Sequence, residues 1–190
     1  MGETTTHVQL RLAALGFVAV LLQVAGLSQI RIFGAGADLA PLVVAAAGFL
    51  VGAVPGAVFG FGIGLFVDLA FFQTLGVSAL IYTLVGYAAG RVRELRAPEA
   101  PIVPLVLGAA ATAFATCAYA VLEFLLGVDA PISFLVVRDI IVVIVLNSLI
   151  AVPVYALVRR WLVPALPDDP RRRRRRRAYT TGGLSPLSRP

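Results

Sequence analysis

The sequence predicts an all-α integral membrane protein, a bundle of six transmembrane helices. Three observations carry this. The 190 residues are 59% hydrophobic and only 14% charged, with a mean hydropathy of +0.93. A soluble domain has about 25% charged residues, so this chain is too apolar to hide in a soluble core. Apolar runs of near membrane-crossing length recur between short polar connectors. Finally, Gly48, Gly52, Gly56, Gly60 and Gly64 fall at every fourth position of one apolar stretch. In a soluble helix each would cost about 1 kcal/mol against alanine. In lipid, a ridge without side chains lets another helix backbone come close. The ridge can serve packing within the chain or contact with another protein.

Taken in order, residues 1–10 read as a short polar tail and residues 12–30 as a first span without charge. A cleaved signal peptide is the rival reading, but the stretch is long and its small-residue cleavage pattern is poor. Residues 31–38 form a glycine-rich connector. Residues 39–54, 57–72 and 74–90 are three further apolar runs, with Pro55-Gly56 as a turn signal between the first two. Those first two are short, about 24 Å each at 1.5 Å per residue, against a bilayer core of about 30 Å. They read as two short spans or as one long kinked helix. Residues 91–101 are the first clearly polar loop. Residues 102–126 and 134–158 are the last two spans, the final one carrying Arg138, Asp139, Asn147 and Pro153. Pro153 is expected to kink it. The bundle is expected to occupy residues 1–165, and residues 166–190 to form an arginine-rich disordered tail.

All sixteen basic residues are arginine, and cytoplasmic loops are enriched in such residues. Six spans place the 91–96 loop, Arg11 and the C-terminal tail together inside, so both termini are expected in the cytoplasm. Arg31 and Arg138 then lie outside. Five spans would put the N-terminus outside. The same topology sets Asp38, Asp68, Glu123, Asp129 and Asp139 near outer ends of spans. Lone charges in lipid are costly and point inward or find partners. An outward-facing polar cluster is therefore expected, with Asp68 and Glu123 its strongest members because apolar residues flank both. Asp38 and Asp129 read at least as well as interfacial charges in water. Asn147 is expected to bond across helices, an effect that averages below about 1 kcal/mol in membranes.

The stretch Gly60 to Val92 resembles the MreD family, the integral membrane component of the bacterial rod-shape system. The shared pattern is G-x-x-x-G-F-x-x-G-L-x-x-D, carried by Gly56, Gly60, Phe61, Gly64, Leu65 and Asp68. It continues through Leu75-Gly76, Ser78-Ala79-Leu80, Gly86-Tyr87 and Gly90-Arg91, and Asp38-Leu39 also fits. The resemblance covers roughly residues 10–165. It implies a fold similar to the substrate-binding components of energy-coupling-factor vitamin transporters. It also implies a non-enzymatic scaffold in the bacterial cell membrane. The implied partners are an MreC-like protein, a RodA-type glycosyltransferase and a class B penicillin-binding protein, which together direct lateral peptidoglycan synthesis. A vitamin-type transporter component is the alternative.

No catalytic residue, cofactor or metal ligand is expected. The one histidine, His7, is terminal and the one cysteine, Cys117, lies in an apolar run, so neither a Cys/His nor a Ser/His/Asp set is available. The glycine repeat lacks the Gly-Lys-Ser/Thr of a phosphate loop. Arg171, Arg172, Arg173, Arg174, Arg175, Arg176 and Arg177 suit contact with anionic lipid, at about 1 kcal/mol per residue near the surface. Nucleic acid is not expected as a partner, since no aromatic interleaving accompanies the run.

Overall fold

The computed structural model describes residues 2–27, 31–32, 35–36, 38–95, 102–127 and 134–165. Among these it is almost entirely helical. Helices α1 (Gly2–Leu22), α2 (Leu39–Val51), α3 (Ala53–Ala70), α4 (Val77–Leu95), α5 (Val103–Leu125) and α6 (Phe134–Leu162) follow one another. A π-helical turn, Gln23–Leu27, extends α1. Strands β1 (Arg31–Ile32) and β2 (Ala35–Gly36) form a two-residue antiparallel pair before α2. Helices containing Val8–Ala25, Ala53–Ala70, Val103–Leu122 and Ile140–Leu162 are long and apolar enough to cross a membrane.

Helix α2 is the centre of the bundle. Every residue from Leu39 to Leu50 is buried, and α1, α3, α4, α5 and α6 all pack on it. With 13 residues it is about 20 Å long, shorter than a bilayer core. Its apolar residues (Val43, Val44, Ala45, Ala46, Ala47, Phe49) face neighbours on all sides. A helix apolar all round is a buried helix, and this one is buried by protein.

The α2–α3 break falls at Gly52, three residues before the expected turn. Gly52 has φ 109° and ψ 175°, a region open essentially to glycine. Pro55 sits instead in the first turn of α3, where a missing N–H leaves no helical hydrogen bond unmade. The two runs are therefore two helices and not one kinked helix. Helix α1 also begins earlier than expected, inside the polar N-terminal stretch, and α6 runs through Pro153 to Leu162.

From Gly52 onward, α3 and α4 run antiparallel with backbone against backbone. A Cβ on Gly64 would strike Ala79, one on Gly60 the Tyr82 carbonyl, and one on Gly90 the backbone of Ala53. At Gly56 and Gly48 it would meet the Gly86 carbonyl oxygen at 2.7 and 2.5 Å. The glycine ridge is thus filled from within the chain, by α4, and Gly48 brings α2 into the same seam. Gly52 is not part of it; nothing lies within 4 Å of its Cβ position.

Candidate functional site

The apolar interior holds a few polar side chains, and they converge on the start of α2. Asp38 is its N-cap: its carboxylate accepts from the Ala40 N–H at 3.2 Å, the usual way an orphan helix donor is satisfied. Gln23 donates to the same carboxylate at 2.6 Å and accepts from the Ala40 N–H at 2.9 Å. The π-turn at the end of α1 holds this glutamine. Asn147 of α6 takes both backbone groups of Asp38, accepting from its N–H at 3.2 Å and donating to its carbonyl at 3.1 Å. It also donates to the Thr112 hydroxyl of α5 at 3.3 Å. The Tyr82 hydroxyl of α4 donates to Asp38 at 3.5 Å. Four helices thus meet at Asp38, and α5 joins through Asn147. Asn147 and Thr112 lie near the middle of α6 and α5, so α2 begins halfway along those two helices.

A second centre lies at the α3–α4 corner. Asp68 is fully buried. Its carboxylate accepts from the Gly76 N–H at 2.7 Å and the Ser78 N–H at 3.1 Å. These are N-terminal donors of α4, so the carboxylate closes the loop and complements the positive helix end. The Ser78 hydroxyl bonds the Tyr119 hydroxyl of α5. Tyr119 meets Tyr82 edge to face, with centroids 6.5 Å apart. Asp68, Ser78, Tyr119, Tyr82 and Asp38 therefore form a continuous chain of polar contacts between the two centres. Among the described residues, every buried side-chain nitrogen or oxygen has a partner.

At the opposite end, arginines cap helix C-termini. Arg93 of α4 donates to the Leu50 carbonyl at the end of α2. Arg11 of α1 donates to the Trp161 carbonyl at the end of α6 at 3.0 Å. Cations at these ends suit the helix dipole.

The structure therefore brings together Asp38, Asp68 and Asn147 with residues the sequence reading did not place in the polar cluster: Gln23, Ser78, Thr112, and the paired Tyr82 and Tyr119. Their signal was an uncharged polar residue inside an apolar run. Asp68, expected in an outward-facing polar cluster, is held by backbone donors at the α3–α4 corner. Arg138 lies exposed near the start of α6. The side chains of Glu123 and Asp139, Asp129, and the whole run from Arg171 to Arg177 lie outside the described residues. The same holds for the expected tail, 166–190.

A protein-family model described as rod shape-determining protein MreD matches residues 6–161, which takes in most of α1 and nearly all of α6. The chain belongs to the MreD family. No curated protein and no solved structure matches it. MreD membership makes this an integral membrane protein with a role in rod-shape determination. It also gives the G-x-x-x-G-F-x-x-G-L-x-x-D pattern a physical content here. The glycines are the floor on which α4 lies, and the terminal aspartate fixes where α4 starts. Chemically the two polar centres join helices through satisfied hydrogen bonds. Among the described residues no group of three or more His, Cys, Asp or Glu side chains could hold a metal ion.

Proposed function

We propose that this MreD-family chain is a non-enzymatic membrane scaffold of the cell-elongation machinery. In this reading it holds an MreC-like protein, and with it a RodA-type glycosyltransferase and a class B penicillin-binding protein, where lateral peptidoglycan is made. Membership of the MreD family over residues 6–161 carries the reading. The interior supports it: α2, α3 and α4 meet along glycine backbones, which makes a stiff platform whose outer faces are free for other spans. The platform crosses the inner membrane six times with both termini cytoplasmic. The clustering of Arg11, Arg93, Arg159 and Arg160 toward one end supports this orientation. Residues 1–165 form the bundle, and residues 166–190 a cytoplasmic tail whose arginine run contacts anionic lipid.

A vitamin-type transporter component is the second reading, favoured by the polar centre inside the bundle. Against it, the polar atoms there already bond one another, and a ligand would have to displace those bonds. Mass spectrometry of what co-purifies with the tagged chain from its own membrane in mild detergent separates the two. Recovery of an MreC-like protein or of the wall polymerase and transpeptidase supports the scaffold. Recovery of an ATPase with a membrane coupling subunit, or of a bound vitamin, overturns it.

A further inference from the structure

The inward face of α6 is buried at Tyr155, Ala151 and Asn147. Ile144 and Ile140 continue the same face one and two turns further, yet both are partly exposed. Helix α5 repeats the pattern. Thr112 and Ala115 are buried, and Tyr119 and Leu122, next on that face, are only partly so. On both helices burial fades just beyond the residues that meet the start of α2, Asn147 directly through Asp38 and Thr112 through Asn147. Past that point α2 no longer fills the space beside them. A hollow therefore lies beyond the start of α2, walled by α5 and α6 and floored by Asp38, Asn147 and Thr112.

The floor is at membrane depth. Asn147 and Thr112 lie about 10–15 Å inside Ile140 and Leu122, where the apolar spans of α6 and α5 end. At this depth Asp38 is itself partly exposed, and its backbone is extended, with φ −108° and ψ 106°. The strand pair β1–β2 precedes it, and β2 packs on α6. Within the hydrocarbon layer, non-helical backbone persists only against protein or water, and a carboxylate facing lipid is costly. The part of Asp38 that protein leaves uncovered therefore faces water. We propose that the hollow is a water-filled vestibule, open at the end of the bundle that bears Phe72, which brings water and small hydrophilic solutes to Asp38 in mid-membrane.

Cys117 is the one cysteine of the chain, so Cys117→Ala gives a full-length protein without thiols. Single cysteines are placed in it, and membranes holding each variant are treated with an impermeant methanethiosulfonate from either side. Phe72→Cys marks the side on which that end of the bundle opens. Ile140→Cys and Ile144→Cys should both react from the side that labels Phe72→Cys, although position 144 lies within the span. The next residue, Val145, is 64% exposed on the outer side of α6 and meets lipid. Val145→Cys should react on the order of tenfold more slowly than Ile144→Cys, because the reacting thiolate forms in water. Ala151→Cys, beneath the floor, should stay silent. Equal rates at positions 144 and 145 overturn the vestibule. So does silence of Ile140→Cys and Ile144→Cys beside a reactive Phe72→Cys, or reaction of Ile144→Cys from the opposite side. Labelling of Phe72→Cys from the cytoplasm would reverse the proposed orientation and leave the vestibule standing, which separates the two failures.

Discussion

At the scale of single residues, the glycines divide by what lies opposite them. Gly86 faces the Gly56 carbonyl, whereas Gly62 faces open space. Gly86→Ala should therefore cost about 1–3 kcal/mol, the usual cost of forcing extra atoms into a packed interior. Gly62→Ala should be close to neutral. Thermal unfolding of the two variants in one detergent compares them, and equal midpoints would count against the backbone seam. Gly52→Ala should cost about 1–3 kcal/mol for a different reason, its backbone conformation, although nothing crowds it. Asp68→Asn keeps one acceptor oxygen for two backbone donors, so one buried N–H loses its partner, at about 1–3 kcal/mol. Asp68→Leu should be worse, and the same melting experiment ranks the pair. In the sequence the glycine spacing of four was plain. What it could not reveal was the occupant of the ridge, because Ala79, Gly86 and Gly90 sit in a segment whose polar C-terminal end masks its own packing face.

At the scale of elements, α2 is the informative case. Its apolar run was legible, and so was the need for a break before α3. Its depth was not. Asp38 looked like a charge at a membrane edge because a sequence does not say where along its neighbours a short helix starts. Asn147 and Thr112 supply that information through contacts 109 and 35 residues long in sequence. Asn147→Leu removes the partner of both Asp38 backbone groups. It should loosen the first turn of α2, seen as faster amide exchange at Leu39, Ala40 and Leu42 with α6 itself unchanged. The side-chain bond between Asn147 and Thr112 alone should be worth about 0.6 kcal/mol in a double-mutant cycle.

At the scale of the whole molecule, the alternation of helix ends makes a topology that labelling can read. Phe72 lies in the α3–α4 loop and is 97% exposed, whereas Asp68 beside it is fully buried. After Cys117→Ala, a cysteine at position 72 should react with an impermeant thiol reagent from outside the cell, and one at position 160 only from the cytoplasm. Reaction of both from one side would break the six-crossing topology. Position 68 is expected to stay silent from either side. The helical class and the approximate positions of the helices were written in hydropathy. The central placement of α2 was not, since hydropathy treats a helix surrounded by protein and one surrounded by lipid alike.

The half-length of α2 and its enclosure on every side bear on how the chain is made. Asp38 is synthesised 109 residues ahead of Asn147. At about 5–20 residues per second that is an interval of several seconds to some twenty seconds. Until α5 follows, α2 has α1, α3 and α4 to lie on, and α6 comes last. Too short to reach across the bilayer alone, it would enter as a passenger of the glycine seam, in a four-helix intermediate with an open flank. The order of synthesis then becomes part of the fold: the last two helices close over a centre already in place, and a nascent chain stalled before residue 147 presents that flank to whatever insertion factor attends it.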